Sequence, residues 1–171
     1  GKLYLGKGDT ASNGTSEVDL SGTAVVGYSG VQDFAGGIRF FDDDADALTG
    51  TDIGDVFSNF DGLSRRNRIR YDTPEFAGFT LSGSILSDGG DVALRYAAQW
   101  ADWKFAAAVA YAEPQAVGDD AEDQYNGSAS ILHSSGLNFT VAGGLQELKD
   151  SSRDDPTFYY GKIGYRTKFF E

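Results

Sequence analysis

The chain has 171 residues, 23 of them glycine, and contains neither cysteine nor methionine. The absence of cysteine excludes a disulfide framework and thiolate metal sites. The formal net charge of -12 argues against a nucleic-acid partner, because nucleic acids are polyanions. No stretch reaches the ~18 uncharged apolar residues that a transmembrane helix requires. The sequence begins at Gly1 without a methionine, which predicts a processed chain or an excerpt of a longer one.

The first predicted strand is followed by a very long polar connection. Residues 2–7 alternate in character and predict a short strand. Residues 9–62 then form one connection, far longer than the ~12–15 residues of an ordinary structureless loop, so we expect it to be functional. We therefore interpret residues 1–171 as one domain with a strand at 1–7, a loop at 8–63 and seven further strands at 64–171.

Seven later segments alternate between apolar and polar residues with the period of two that is typical of strands. In one of them, Trp103, Phe105 and Val109 alternate with Lys104 and alanines. The segments are 65–73, 76–86, 91–100, 103–111, 125–131, 137–145 and 159–165. Most approach the ~9–11 residues with which a tilted strand crosses a bilayer.

The connections between these strands alternate in length. Those at 101–102 and 133–136 are short, whereas 9–62, 113–122 and 148–156 are longer and acidic; only 87–90 is short on the long-loop side. Outer-membrane barrels have this asymmetry of short turns and long outer loops. Aromatic residues fall at strand ends, where membrane interfaces would lie: Trp100, Trp103, Tyr111 and Tyr125. Together these patterns predict an all-β fold, an antiparallel up-and-down transmembrane β-barrel with one long loop.

Two other folds are compatible with the alternation. A soluble acidic β-sandwich acting as a binding module would bury one face of each strand and hydrate the other. A small eight-stranded outer-membrane barrel acting as an anchor or adhesin would fill its narrow interior with side chains. The positions expected to point inward are often alanine, serine or glycine, which are too small to fill such a barrel.

One segment resembles a known protein family. Residues 65–79, RRNRIRYDTPEFAGF, resemble the strand–turn–strand that follows the constriction loop of the trimeric general-diffusion porins of Gram-negative bacteria. Residues 1–7 are similar to the porin strand that leads into that loop. The resemblance implies sixteen strands per monomer, of which this chain would be the central portion, and a long inward-folded loop at residues 8–63. It also implies a homotrimer in contact with outer-membrane lipid and lipopolysaccharide, and a passive channel for ions and small hydrophilic solutes without a cofactor.

The expected site is a constriction between a basic strand and an acidic loop. Arg66, Arg68 and Arg70 share one strand face, which would be the lumen because an arginine facing lipid costs ~2–4 kcal/mol at the bilayer midplane. Arg95 lies on a nearby strand, and the porin resemblance adds Lys7. On the loop, the expected acidic residues are Asp33, Asp42, Asp43, Asp44 and Asp46. Opposed charges set up a transverse field, and the excess of loop acids predicts a mild preference for cations.

Other site chemistry has little support in the sequence. The spacing of Asp42, Asp44 and Asp46 would suit a calcium ion, but the segment lacks the glycine and terminal glutamate of an EF-hand. His133 is the only histidine and falls in a predicted turn. With one histidine and no cysteine, neither a catalytic triad nor a zinc site has its partners, so we expect no enzyme activity.

Overall fold

A computed structural model describes residues 1–114 and 120–167, which contain ten strands and two short helices. The strands are β1 Lys2–Asp9, β2 Arg39–Asp42, β3 Ala47–Asp52, β4 Arg65–Asp72, β5 Phe79–Leu86, β6 Gly89–Trp100, β7 Trp103–Pro114, β8 Ala121–His133, β9 Leu137–Leu148 and β10 Thr157–Tyr165; the helices are α1 Val31–Ala35 and α2 Ile53–Val56. Eight strands form one sheet in the order β1-β4-β5-β6-β7-β8-β9-β10, and β2 pairs with β3. All of these pairs are antiparallel.

The all-β prediction is confirmed, and each of the eight predicted strands lies in the main sheet. The spatial order of these strands follows their order along the chain, as in an up-and-down sheet. Several strands are longer than predicted; β8 covers Ala121–His133 rather than 125–131. Part of the predicted connection 113–122 lies outside the described residues.

The long loop contains structure that the sequence patterns did not predict. The β2–β3 hairpin and the helices α1 and α2 all lie between β1 and β4. The helices have five and four residues, too few to show a helical period. Backbone bonds join these pieces, from Ile53 N–H to the Ile38 carbonyl and from Gly54 N–H to the Gly36 carbonyl. No described helix has the length and apolar character needed to cross a membrane.

The two faces of the main sheet differ in chemistry and in exposure. One face, called the polar face here, carries buried polar side chains: Ser82, Ser84, Asp91, Gln124, Asn126, Ser128, Ser130, Asn138 and Thr140. The opposite face, called the apolar face, carries large exposed side chains that include Leu5, Ile69, Ile85, Val109, Phe139 and Ile163. A globular protein in water usually has the reverse arrangement, with its large apolar side chains inside.

Both edges of the main sheet are open within the described residues. β1 pairs only with β4 and β10 only with β9, so no ladder between β1 and β10 closes a barrel there. A complete eight-stranded barrel would need that ladder. A sandwich would need a second sheet against the apolar face. The only other sheet among the described residues is the β2–β3 hairpin of the loop.

Candidate functional site

Residues 10–21, called the crossing segment here, run across the polar face from β6 to β10. At the β6 end, the Asp91 carboxylate accepts hydrogen bonds from Ala11 N–H (3.2 Å), Ser12 N–H (2.8 Å) and the Ser12 hydroxyl (2.5 Å). The Ser84 hydroxyl accepts a further bond from Ala11 N–H at 2.7 Å. These acceptors satisfy buried backbone donors that have no neighbouring strand.

The middle of the crossing segment is bound by hydroxyl groups of β8. Ser128 accepts a hydrogen bond from Val18 N–H at 2.8 Å, and Ser130 accepts one from Leu20 N–H at 2.9 Å. The Ser128 hydroxyl also donates to the Thr15 carbonyl at 2.7 Å. The bonded residues are two apart in the crossing segment and two apart in β8. This part of the segment therefore runs alongside β8 with the residue spacing of a strand.

The far end of the crossing segment is fixed by one lysine of β10. The Lys162 ammonium group donates to the Asp19 carboxylate, to the Ser21 and Thr23 hydroxyls, and to the Gly27 carbonyl at 2.8 Å. The Asp19 side chain is only 3% exposed in this ion pair. A buried charge requires such compensation, so this cluster determines where the segment meets β10.

Small residues let the crossing segment lie close to the sheet. Five of its first seven residues have 0% exposure: Thr10, Ala11, Ser12, Thr15 and Ser16. Beneath them, the polar face of β6 and β7 presents buried alanines at positions 93, 108, 110 and 112. The returning chain is equally close, since a Cβ at Gly62 would lie 2.1 Å from the Ser12 hydroxyl oxygen. Side-chain volume is therefore a determinant of the loop position.

Four of the predicted basic residues, Arg66, Arg68, Arg70 and Arg95, occupy the polar face near the start of the crossing segment. Arg70 donates to the Thr10 carbonyl at 2.7 Å, and Arg95 donates to the Asn13 carbonyl at 2.8 Å. Both guanidinium groups therefore hold the backbone of the segment itself.

The other two arginines make different contacts. Arg66 forms an ion pair with Asp88. Arg68 donates to the carbonyls of Gly6 (2.8 Å) and Asp9 (3.0 Å) and makes no ion pair with a described residue. Its positive charge consequently has no carboxylate counter-charge among the described ion pairs.

Lys7 does not join the arginine row, contrary to the expectation from the sequence. It pairs with Asn67 in the β1–β4 ladder, whereas Gly6 and Gly8 pair with Arg68 and Arg66. Directly paired residues share a face and adjacent residues alternate, so Lys7 lies on the apolar side. The similarity of residues 1–7 to a porin strand suggested that Lys7 would face the constriction. The alternation of side chains along β1 places it on the opposite face.

The predicted acidic residues lie in the outer part of the loop, and none of them forms a described ion pair with the arginine row. Asp33 lies in α1, where it accepts a hydrogen bond from the Tyr28 hydroxyl. Four exposed residues form the tip of the β2–β3 hairpin: Asp42, Asp43, Asp44 and Asp46. The structure thus places them together, but not against the arginines.

Two strand residues and one residue of the β5–β6 turn, rather than hairpin residues, supply the carboxylates beside the arginines. Asp72 pairs with Arg70 at 2.7 Å, Asp88 pairs with Arg66, and Asp91 holds the crossing segment. The constriction acids were expected on the loop and not on the wall. The alternation contained a usable signal for two of them, since Asp72 is in phase with Arg70 on β4 and Asp91 is in phase with Arg95 on β6.

The hairpin tip is a hydrogen-bonded turn rather than a cation site. Asp42 accepts hydrogen bonds from Asp44 N–H (2.9 Å) and Ala45 N–H (3.1 Å). Within the described part of the chain, no group of three or more histidine, cysteine, aspartate or glutamate residues is arranged to hold a metal ion. The geometry therefore gives no support to calcium binding by Asp42, Asp44 and Asp46.

The pKa values of two carboxylates in the crossing segment are shifted in opposite directions. Burial, reinforced by the nearby charge of Asp61, raises the pKa of Glu17 above its ordinary value, although Asn59 donates a hydrogen bond to it at 2.8 Å. Burial opposes ionisation of Asp19 too, but hydrogen bonds from Lys162 and Ser21 outweigh it and lower that pKa. Only Asp19 is therefore matched by a cation.

Comparison of the chain with protein-family models, with curated proteins and with solved structures found no match. Similarity therefore assigns neither a family nor a function to the chain.

Proposed function

We propose that this chain forms part of the wall and the constriction of a passive outer-membrane diffusion channel, a porin for ions and small hydrophilic solutes. One observation carries the proposal: a hydrogen-bonded loop covers the polar face while the apolar face is exposed. In a transmembrane barrel, the apolar face would contact lipid and the polar face would line the lumen. In water, the same exposed apolar area would cost about 25 cal/mol per Å².

Aromatic residues at both ends of the apolar face support a membrane setting. Trp100 pairs with Trp103 at the short-turn end of the sheet, and Tyr111 pairs with Tyr125 at the long-loop end. At ~3.3 Å per residue and a tilt of ~40°, β7 would rise about 20 Å between Trp103 and Tyr111, to which the two side chains add. The apolar band of an outer-membrane barrel is ~25 Å tall and has aromatic residues at both borders. The remaining strands and the homotrimer are expectations from the porin resemblance.

The charges on the polar face favour permeation of polar solutes. The crossing segment would narrow the lumen, and its start lies among arginines that donate to backbone carbonyls. The hairpin tip adds exposed acidic groups, Asp42, Asp43 and Asp44, on the same loop. Such fixed charges in a low-dielectric wall act strongly on ions and dipoles. The acidic excess favours a mild preference for cations.

The proposal is tested by recording the full-length protein in planar lipid bilayers. We expect discrete, ohmic conductance steps and, in a potassium chloride gradient, a reversal potential with the sign of mild cation selectivity. Replacing Asp42, Asp43 and Asp44 by asparagine should reduce that selectivity, whereas Asp154→Asn in an outer loop should not. Absence of any conductance would contradict the channel, and anion selectivity would contradict the proposed role of the loop acids.

A further inference from the structure

A recess of about 570 Å³ lies at the short-turn end of the main sheet. Its lining includes Gln99, Lys104, Leu132, Ser135 and Arg166. Gln99, Lys104 and Leu132 are consecutive partners in the ladders of β6, β7 and β8, so they form one row on the polar face. The recess is therefore on the side of the sheet that we assign to the lumen, at the end opposite the long outer loops.

Backbone hydrogen bonds join the three chain segments that surround the recess. Ser134 N–H donates to the Asp102 carbonyl at 2.8 Å, which ties the β8–β9 turn to the β6–β7 turn. Arg166 N–H donates to the Gly136 carbonyl at 2.8 Å, which ties the end of β10 to the same turn. The positions from which Lys104 and Arg166 project are thus set by backbone contacts and not by the side chains themselves.

The recess is positively charged in a chain whose net charge is -12. Neither Lys104 nor Arg166 has an ion pair among the described residues, and both are exposed. Asp102 is the one carboxylate among the lining residues. The Gln99 amide adds hydrogen-bond donors beside these cations. With two cations and one carboxylate, the lining carries a net positive charge, which favours an anion.

We propose that this recess binds small solutes that carry a phosphate or carboxylate group. A guanidinium group matches two oxygens of such an anion, and the lysine ammonium supplies a compact second charge. The volume lies within the ~300–1,000 Å³ that is typical of small-molecule sites, so it accommodates an organic phosphate as well as inorganic phosphate. The proposal rests on the proposed function only in placing the recess at one mouth of a channel.

The binding test uses the backbone amide NMR signals of Lys104, Ser135 and Arg166, which line the recess. Inorganic phosphate is titrated into the protein in detergent at constant pH and ionic strength while these signals are recorded. We expect saturable chemical-shift changes with phosphate and none with the same ionic strength of sodium chloride. A charge-assisted contact is worth about 1.5–3 kcal/mol, so Lys104→Met and Arg166→Met should each weaken binding about tenfold or more.

Arg153→Gln is the matched control, because Arg153 lies in the β9–β10 loop and pairs with Asp120 away from the recess. This variant should bind phosphate like the unmodified protein, and circular dichroism should show that all variants keep the β-sheet. Equal shifts with chloride, or unchanged phosphate affinity in Lys104→Met and Arg166→Met, would overturn the proposal. Since the signal does not depend on ion conduction, failure of this test and failure of the channel proposal are distinguishable.

Discussion

Two parts of the same acidic loop behave in opposite ways. The crossing segment lies against the polar face, with five residues at 0% exposure and hydrogen bonds to side chains of β5, β6, β8 and β10. The β2–β3 hairpin is exposed, and its described hydrogen bonds stay within the loop. The crossing segment can lie against the polar face because its residues are small and because that face supplies buried hydrogen-bond acceptors. The hairpin tip is a run of carboxylates, which remain exposed to solvent.

Removal of the Asp91 carboxylate, which holds the crossing segment, should lower the stability of the protein far more than a substitution in the hairpin. Asp91→Ala leaves the N–H and the hydroxyl of Ser12 without their acceptor, whereas Ala11 N–H keeps the Ser84 hydroxyl. Each buried donor left unsatisfied costs about 1–3 kcal/mol, so we expect a loss of about 4 kcal/mol in the free energy of unfolding. Urea unfolding in detergent measures it. Asp43→Ala in the hairpin tip should change it by less than about 0.5 kcal/mol, and equal effects would contradict the account.

Loss of the lysine at the other end of the crossing segment should have the next largest effect. Lys162→Met leaves the buried Asp19 carboxylate without its cation. Breaking a buried pair on one side is strongly destabilising, and we expect about 3 kcal/mol in the same unfolding measurement. The double variant with Asp19→Asn should recover part of this loss, because it removes the uncompensated charge. No recovery would indicate that the ion pair is not the relevant contact.

A pair of glycine substitutions tests the close packing of the crossing segment. Gly62 has a positive φ of 66°, and a Cβ there would overlap the Ser12 side chain, whereas a Cβ at Gly50 in the hairpin meets nothing within 4 Å. Gly62→Ala should therefore destabilise the protein by about 2 kcal/mol. Gly50→Ala should change the stability by less than about 0.5 kcal/mol. Similar thermal stabilities of the two variants would show that the segment does not pack so closely.

The smallest expected effect concerns Glu17 and depends on pH. Its raised pKa means that the folded protein holds this proton more tightly than the unfolded chain. The ionised form therefore costs stability above the raised pKa, and the cost disappears well below the ordinary value of 4.5. Glu17→Gln should be more stable than the unmodified protein at neutral pH, by less than about 1 kcal/mol, and no more stable in acid. Urea unfolding at neutral and at acid pH measures the difference, and an equal gain at both would contradict this assignment.

The strands of the main sheet were predictable because a sheet with two different faces enforces a period of two in the sequence. The same period places Asp91 and Lys162 on the polar face, so their roles could have been inferred had the acidic and basic groups of the strands been compared. The docking of the crossing segment was not predictable, since residues 10–16 have the composition of an ordinary turn. Its position depends on acceptors that lie far away in sequence, such as Ser128.

The assignment of Lys7 shows how a motif and a period can disagree. A short similarity to a porin strand suggested a basic residue at the constriction, but the ladder pairs Lys7 with Asn67 on the other face. A shift of one residue moves a side chain to the opposite face of a strand. For a site on a sheet, the phase of the alternation is therefore a better guide than a short similarity.

The central claim is that the apolar face contacts lipid and the polar face does not. Because the chain lacks cysteine, Leu81→Cys and Thr80→Cys place one fluorophore each on opposite faces of β5, at adjacent positions. In lipid vesicles, we predict that spin-labelled acyl chains quench the dye at position 81 and that iodide quenches the dye at position 80. Quenching of both dyes by iodide, with none by the lipid, would contradict the account.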